Sequence, residues 1–339
     1  MNLVDIKEIG CGQSGRVVKC LDLESGRIYA KKVIKIKLQK DQIKSLYAEA
    51  AMRQVQDERI VRIYGIESRD LEMTIVMEWM DIGSLGAIVK SQMAKLHQAR
   101  PVGTLNEEVI PEDIIGYLLR EVLNGLVALK KKDIMHRDVK PGNVLINSKG
   151  KVKLCDFGES TPYYGPKETE CANSDTAIGH KRVDSQVGTI AYMSPERILG
   201  KEYDERAEVW SIGIMALELY TGKHPLLEKG ALLENSLLIH RNPNSISNHD
   251  SNVLDGLKFN SSEDESNLAI IELVQSITRQ PIHLHHYCNM SNLFKKFLRL
   301  CLSLNLEERP LLEELLLHPF IQKHSSIDSE DLIIWIINN

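Results

Sequence analysis

The chain has 339 residues, with 42 Lys and Arg against 47 Asp and Glu, a net charge of -5 and a pI near 6.2. This length suits one catalytic unit in two lobes, and the acidic balance argues against a nucleic-acid partner, because phosphate backbones are bound by an excess of clustered Lys and Arg. No stretch approaches the roughly 18 consecutive apolar residues of a membrane span, and the six cysteines show no C-x-x-C spacing, so we expect no membrane partner and a cytoplasmic or nuclear location.

The first part of the chain, to about residue 80, alternates short apolar runs and contains one helical pattern from about Lys40 to Gln54. This predicts a small, mostly β lobe. Its opening segment, residues 10–15 with the sequence GCGQSG, is typical of a glycine-rich strand turn whose N–H groups can face phosphate oxygens. The same spacing occurs in dinucleotide-binding turns, but residues 28–34 read as a strand where such a turn requires a helix.

Two adjacent lysines, Lys31 and Lys32, lie on that predicted strand. Because neighbouring residues of a strand point to opposite faces, only one of them can enter a phosphate-binding cleft. The Ala30-x-Lys32 pattern favours Lys32, and Lys31 is interpreted as a solvent-facing strand lysine. Glu49, on the helical pattern that follows, is the best carboxylate to pair with Lys32, with an ordinary helix-surface acid as the alternative interpretation.

A change of periodicity marks a second region. Residues 76–80 end a strand, and Asp81, Gly83 and Gly86 then loosen the chain, which predicts a hinge. From Glu112 onward, apolar residues recur at steps of three and four, which indicates a buried helix face and the start of a larger helical lobe. We expect residues 91–111 to be the connection that precedes this first large helix.

An ordered set of polar residues follows that helix, on a loop and a predicted β-hairpin: His136-Arg137-Asp138, Lys140, Asn143 and Asp156-Phe157-Gly158. Asp138 can accept or orient the proton of an attacking hydroxyl, and Lys140 can offset charge on a transferred phosphoryl group. Oxygen ligands such as those of Asn143 and Asp156 suit hard cations, here Mg²⁺ held together with nucleotide phosphates. The set as a whole predicts phosphoryl transfer.

These motifs resemble those of eukaryotic protein kinases over residues 3–320, and most closely those of the dual-specificity mitogen-activated protein kinase kinases (MAP kinase kinases). The subfamily resemblance lies in residues 77–85 (MEWMDIGSL), 139–145 (VKPGNVL) and 188–197 (GTIAYMSPER). It implies an α+β, bilobal protein-kinase fold with a small, mostly β N-lobe and a larger, mostly α C-lobe.

The implied boundaries are a kinase domain at residues 1–321 and a C-terminal tail at 322–339. Within the domain, the N-lobe covers about residues 1–80, the hinge about 78–83 and the C-lobe about 84–321. Two insertions are expected. Residues 163–183 predict a long loop beside the active site, and residues 241–266, rich in Asn and Ser, predict a disordered surface segment.

The resemblance also implies how ATP and Mg²⁺ are bound. Ala30 and Leu145 would sandwich the adenine, Met77 would be the gatekeeper, and Glu78 and Met80 would offer backbone hydrogen bonds. The complete implied set of nucleotide-binding residues is Ile9, Gly10, Gly12, Gly15, Val17, Ala30, Lys32, Glu49, Met77, Glu78, Met80, Ser84, Lys140, Asn143, Leu145 and Asp156. The implied catalytic residues are Asp138, Lys140 and Lys32, and Glu196 would form a structural pair with Arg309.

The activity that the resemblance implies is transfer of the ATP γ-phosphoryl group to Thr and Tyr of a MAP kinase. An upstream MAP kinase kinase kinase would switch the chain on by phosphorylating Ser185, three residues before Gly188. Lys181 stands where the family has a second phosphosite, and Thr176 or Ser174 could replace it. The basic and apolar segment that docks on a MAP kinase is not seen before the first predicted strand.

Two alternatives stay open at this point. The chain could be an ordinary Ser/Thr kinase with another protein substrate, since Lys140 two residues after Asp138 resembles Ser/Thr-directed kinases. A pseudokinase scaffold is disfavoured because Lys32, Asp138, Asn143 and Asp156 are all present, but Glu208 stands where the family has an Asp that braces the catalytic loop.

Overall fold

The computed structural model describes residues 1–12, 15–36, 40–99, 108–162, 190–227, 264–279, 281–285 and 287–339. The chain divides into two compact units. The first comprises Met1–Ile88, Tyr117–Tyr163 and Ser325–Asn339, and the second comprises Val89–Gly116 and Tyr164–His324. The predicted insertion at 163–183 and most of that at 241–266 lie outside the described residues.

The first unit opens with a five-stranded antiparallel sheet in the order β1-β2-β3-β5-β4. Its strands are β1 (Leu3–Gly12), β2 (Gly15–Asp22), β3 (Ile28–Lys35), β4 (Ile63–Arg69) and β5 (Glu72–Glu78). In β2, buried residues alternate with more exposed ones, as in a strand with one covered face. Helix α1 (Lys40–Ala51) and a 3₁₀ turn (Met52–Gln54) match the helical pattern predicted for this region.

Helix α2 (Leu85–Ala99) begins directly after β6 (Gly83–Ser84). The prediction of a connection over residues 91–111 is wrong for residues 91–99. Met93 and Leu96 continue the helical spacing of Leu85, Ile88 and Val89, and most residues of the stretch have high helix propensity, so the signal for the helix was present in the sequence. Ser84 also starts the helix, because its hydroxyl oxygen accepts a hydrogen bond from the N–H of Ala87 at 3.2 Å.

Helix α3 (Glu112–Lys130) confirms the long helix expected from Glu112. After it come β7 (Ile134–Met135), a 3₁₀ turn (Pro141–Asn143), β8 (Val144–Ile146), β9 (Val152–Leu154) and β10 (Thr161–Pro162). Strands β6, β8 and β9 form a three-stranded sheet, and β10 pairs with β7. The predicted loop and hairpin are therefore present, with Asp138 in the loop and Asp156 just beyond β9.

The second unit is helical in its described part. Its helices are α4 (Pro195–Ile198), α5 (Arg206–Thr221), α6 (Asp264–Arg279), α7 (Asn292–Cys301), α8 (Leu312–Leu316) and α9 (Pro319–Lys323), with a 3₁₀ turn at Leu306–Glu308. Nearly every residue of α5 is buried, which makes it the central helix of this unit. A Cβ added at Gly213 of α5 would lie 2.7 Å from the Cβ of Cys301, the last residue of α7. Glycine at this position therefore permits the close approach of α5 and α7.

The tail forms helix α10 (Ser329–Asn338), whose N-cap is Asp328. It lies against the β8–β9 turn, where a Cβ added at Gly150 would come within 2.1 Å of the Ser329 oxygen. Arg120 of α3 also donates to the Ile327 carbonyl at 2.6 Å.

Among the described helices, none combines the length and apolar character needed to cross a bilayer. The β-sheet N-terminal region and the helical C-terminal part confirm the α+β class.

Candidate active site

The first charged cluster of the site is built around Lys32, in the middle of β3 between Val17 and Ile75 of the neighbouring strands. Its buried ammonium donates to Glu49 Oε1 at 2.7 Å and to Asp156 Oδ1 at 3.0 Å. Lys31 points to the other face and pairs with Asp5. The alternation of the strand therefore sends Lys32 toward the two carboxylates and Lys31 away from them.

The protonation of this cluster follows from burial and charge. Burial alone would lower the pKa of Lys32, but the carboxylates of Asp156 and Glu49 raise it above its usual value. Burial acts to raise the pKa of Asp156, and the Lys32 ammonium reverses this and lowers it. Burial raises the pKa of Glu49, although Lys32 opposes the shift. Lys32 is thus a permanent cation next to an ionised Asp156 at neutral pH.

The second cluster lies on the loop before β8. The Lys140 ammonium contacts both carboxylate oxygens of Asp138, at 2.9 and 2.7 Å. Asn143 donates from Nδ2 to Asp138 Oδ2 at 2.7 Å and to the Asp138 carbonyl at 2.8 Å. These contacts hold the nearly buried Asp138 carboxylate in one orientation, as a group that takes up a hydroxyl proton requires.

His136 links the two clusters, and the sequence analysis gave it no role. Its ring is fully buried, with Nε2 3.1 Å from the Cys155 carbonyl and Nδ1 accepting from the Asp138 N–H at 3.3 Å. The Cys155 N–H donates to the Asn143 carbonyl at 3.0 Å. Cys155, the residue before Asp156, is therefore hydrogen-bonded to both ends of the loop that carries Asp138. The signal available in the sequence was the position of this histidine, two residues before Asp138.

Two residues beside these clusters have left-handed backbone conformations, Arg137 with φ 67° and Asp156 with φ 61°. Outside glycine such conformations cost roughly 1–3 kcal/mol each and persist where the surrounding structure enforces them. Here the enforcement comes from the hydrogen bonds of His136, Cys155 and Asn143. Asp133 has the same conformation outside the two clusters, so the conformation by itself does not identify a functional residue.

The glycine-rich segment joins β1 and β2, with Gly12 opposite Gly15 and Gly10 opposite Val17. Gly15 has φ +110°, and an added Cβ would lie 2.4 Å from the Val33 carbonyl oxygen, so only glycine fits. At Gly10 an added Cβ would meet nothing within 4 Å. The backbone of the segment is thus open at Gly10, and the side chain of Ile9 is also exposed.

Comparison with known proteins decides the family. Residues 3–321 match the model of the protein kinase domain. The chain belongs to the protein kinase family. It is 31% identical, over 337 residues, to the dual specificity mitogen-activated protein kinase kinase dSOR1 of Drosophila melanogaster, and the similarity covers 99% of this chain and 74% of that protein.

Membership of the family implies that this kinase is an enzyme that uses ATP and a divalent metal ion. Its own residues fit such an ion. Within the described residues, Asp156 Oδ2 and Asn143 Oδ1 accept no hydrogen bond. The other polar atom of each side chain, Asp156 Oδ1 and Asn143 Nδ2, is hydrogen-bonded. Carboxylate and amide oxygens are the ligands that a hard divalent cation prefers.

The predicted adenine-binding residues of the kinase lie on β3, β5, β8 and the segment after β5. Ala30 and Met77 are direct partners in the sheet, and Leu145 pairs with Ser84. The N–H of Glu78 already donates to the Arg62 carbonyl at 2.9 Å. Of the two backbone groups of Glu78, only the carbonyl can therefore serve adenine. The Ser84 hydroxyl is likewise engaged, by the N–H of Ala87.

In the second unit of the kinase, the guanidinium of Arg309 forms a two-pronged ion pair with Glu196. Nη1 donates to Oε1 at 3.0 Å, and Nη2 donates to Oε2. The same Nη1 donates to the Arg206 carbonyl at 2.8 Å. The Arg309 side chain is completely buried, so this pair has a structural role. The phosphosite candidates Ser185, Thr176 and Ser174, together with Lys181, lie outside the described residues.

Replacing Glu49 by Gln should lower the kcat of this kinase by about 100-fold, the loss typical of a small displacement of a catalytic group. Without the second carboxylate, the Lys32 ammonium is drawn toward Asp156 alone and away from the position in which it meets phosphates. Steady-state kinetics with varied ATP measure the change. Glu67→Gln, at an exposed ion pair with Arg69 on β4, is the matched control. Turnover of Glu49→Gln equal to that of Glu67→Gln would contradict the prediction.

Proposed function

We propose that this kinase is a dual-specificity MAP kinase kinase that transfers the γ-phosphoryl group of ATP, with Mg²⁺, to Thr and Tyr of a MAP kinase activation loop. The observation that carries the proposal is the 31% identity to a dual specificity mitogen-activated protein kinase kinase over 99% of this chain. The two charged clusters support the kinase chemistry in this proposal, because Lys32 contacts Glu49 in the first and Lys140 contacts Asp138 in the second.

The proposed chemistry assigns a role to each residue. Asp138 takes or orients the proton of the substrate hydroxyl, and Lys140, in contact with both Asp138 oxygens, offsets charge on the transferred group. Lys32 holds the nucleotide phosphates, and Asn143 and Asp156 would bind the Mg²⁺, which neutralises charge on the phosphates. Positioning and electrostatic stabilisation would supply most of the rate.

The main alternative is an ordinary Ser/Thr kinase, favoured by the position of Lys140 two residues after Asp138. A pseudokinase scaffold is less well supported. Glu208, where the family has Asp, is buried in the first turn of α5, but the Lys32–Glu49 and Asp138–Asn143 contacts are those of a catalytic site.

The proposal extends to regulation and location. An upstream MAP kinase kinase kinase would activate the chain by phosphorylating Ser185, and the kinase would act in the cytoplasm or the nucleus. The catalytic domain would cover residues 1–321, followed by a tail at 322–339. Phosphate on Ser185 requires basic partners, and Arg137 is the candidate, since a phosphorylated loop is ordered by Arg pairing.

The test uses purified chain with Mg-ATP and a panel of kinase-dead MAP kinases, with phosphate on the activation-loop Thr and Tyr measured separately. We expect both residues to be phosphorylated, at a rate that rises when Ser185→Glu mimics the activating phosphate. Ser185→Ala should prevent activation by upstream kinases, and Lys32→Met reports any contaminating kinase. Phosphate on Ser or Thr of generic proteins alone would favour the ordinary Ser/Thr kinase, and ATP binding without transfer would favour the pseudokinase.

A further inference from the structure

The segment from the last residue of β5 to the end of β6, residues 78–84, is here called the hinge segment, and side chains from outside it hold it in place. At its first residue, Glu78 Oε2 accepts a hydrogen bond from Lys153 Nζ at 2.7 Å. The side chains are only 22% and 11% exposed, respectively. A partly buried, charge-assisted hydrogen bond of this length is stronger than an exposed surface pair. Lys153 is the one cation in ion-pair contact with Glu78 among the described residues.

Lys153 lies in the middle of β9, directly opposite Leu145 of β8. Leu145 is the predicted lower wall of the adenine site, and Glu78 is the residue whose carbonyl remains for adenine. The Lys153 side chain thus connects β8 and β9, which are expected to lie against the adenine, to Glu78, whose backbone is expected to hydrogen-bond with the adenine. The two residues are 75 positions apart in the chain, so the contact exists only because the sheet β6-β8-β9 brings the hinge segment to this hairpin.

The later residues of the hinge segment have their own anchors. The Ser148 N–H donates to Asp81 Oδ1 at 2.7 Å, and Gly83 and Ser84 pair with β8. The backbone of Glu78 is held by its N–H, which donates to the Arg62 carbonyl, but its side chain has less support. Among the described residues, the hydrogen bonds to its carboxylate come from Lys153 and, at 3.4 Å, from the Arg62 N–H. Loss of the Lys153 ammonium would therefore leave a partly buried carboxylate without its charge-assisted hydrogen bond, and we expect Glu78 to shift toward water.

We propose that Lys153 is a positioning residue for the nucleotide: by holding the Glu78 carboxylate it fixes the hinge backbone that binds adenine. The proposal rests on ATP binding at this site, which the proposed function also assumes, but it does not depend on the identity of the protein substrate. Lys153 would act on affinity for the adenine group and leave phosphoryl transfer by bound ATP unchanged.

The experiment titrates the purified full-length chain with Mg-ATP and, separately, with adenosine, and measures Kd for each. Lys153→Met should weaken both ligands by a similar factor, about five- to tenfold. Lys153→Arg, which keeps the charge and can still donate to Glu78, should restore most of the affinity. Lys151→Met is the matched control, because Lys151 pairs at 3.4 Å with Glu58 and both side chains are exposed.

Adenosine separates positioning from charge. If Lys153 acted only by attracting phosphates, Lys153→Met would weaken ATP and leave adenosine unchanged, which would overturn the proposal. Equal Kd values for Lys153→Met and Lys151→Met would overturn it as well. Glu78→Gln, which keeps the side-chain shape, provides a second route: it should raise the Kd values of Mg-ATP and adenosine by a similar factor. No step needs a MAP kinase, so a failed search for the protein substrate leaves this test intact.

Discussion

Asp138→Asn should reduce kcat by about 10²–10⁴-fold, the contribution typical of a positioned proton acceptor. The amide has the shape of the carboxylate but carries no charge and does not accept a proton at neutral pH. Lys140 would lose its ion pair to both Asp138 oxygens, and Asn143 Nδ2 would still face the Asp138 carbonyl. The loop should therefore keep its conformation while transfer slows.

Single-turnover phosphoryl transfer with saturating Mg-ATP measures this effect, and an ATP titration shows whether binding is retained. Asp133→Asn is the matched control, since Asp133 has φ 57° at the end of α3 and Asn is well tolerated in that conformation. We expect wild-type activity from Asp133→Asn. Near-normal turnover in Asp138→Asn would show that another group takes the proton.

Arg309→Met should lower the free energy of unfolding by about 3–5 kcal/mol, the usual cost of leaving one member of a buried ion pair without its partner. The Arg309 side chain is fully buried and Glu196 is 7% exposed. The substitution strands the Glu196 carboxylate and also removes the donor to the Arg206 carbonyl. The Glu196 carboxylate is too deeply buried to reach water without a rearrangement of the residues around it.

Chemical denaturation, monitored by circular dichroism, measures the change in the free energy of unfolding. The control is Glu307→Gln, which removes the 2.7 Å ion pair between Glu307 and Arg206, where the Glu307 side chain is 74% exposed. Exposed ion pairs contribute about 1 kcal/mol or less to the free energy of unfolding. The double replacement of Glu196 and Arg309 by Leu should recover part of the loss, because no buried charge is left unpaired. A loss at Arg309 no larger than at Glu307 would refute the structural role of the pair.

Several features follow from local sequence alone. The choice between Lys31 and Lys32 rests on strand alternation, a property of two neighbouring residues, and the structure places only Lys32 beside Glu49 and Asp156. The helix from Glu112 and the hairpin that carries Asn143 and Asp156 also depend on short-range patterns. The helix over residues 91–99 is also marked by a local pattern, since Met93 and Leu96 lie at helical spacing from Leu85 and Val89, and the prediction of a connection there overlooked it.

The sequence by itself thus determined the family resemblance, the α+β class and the set of polar residues proposed to carry the chemistry, because these depend on motifs and on periods of two or about four residues. Only the tertiary structure decided which groups meet: Lys32 with Asp156 across 124 positions, His136 with the Cys155 carbonyl, and Glu78 with Lys153 across 75 positions. Pairings of this kind depend on how the strands and helices pack, and no local pattern contains that information.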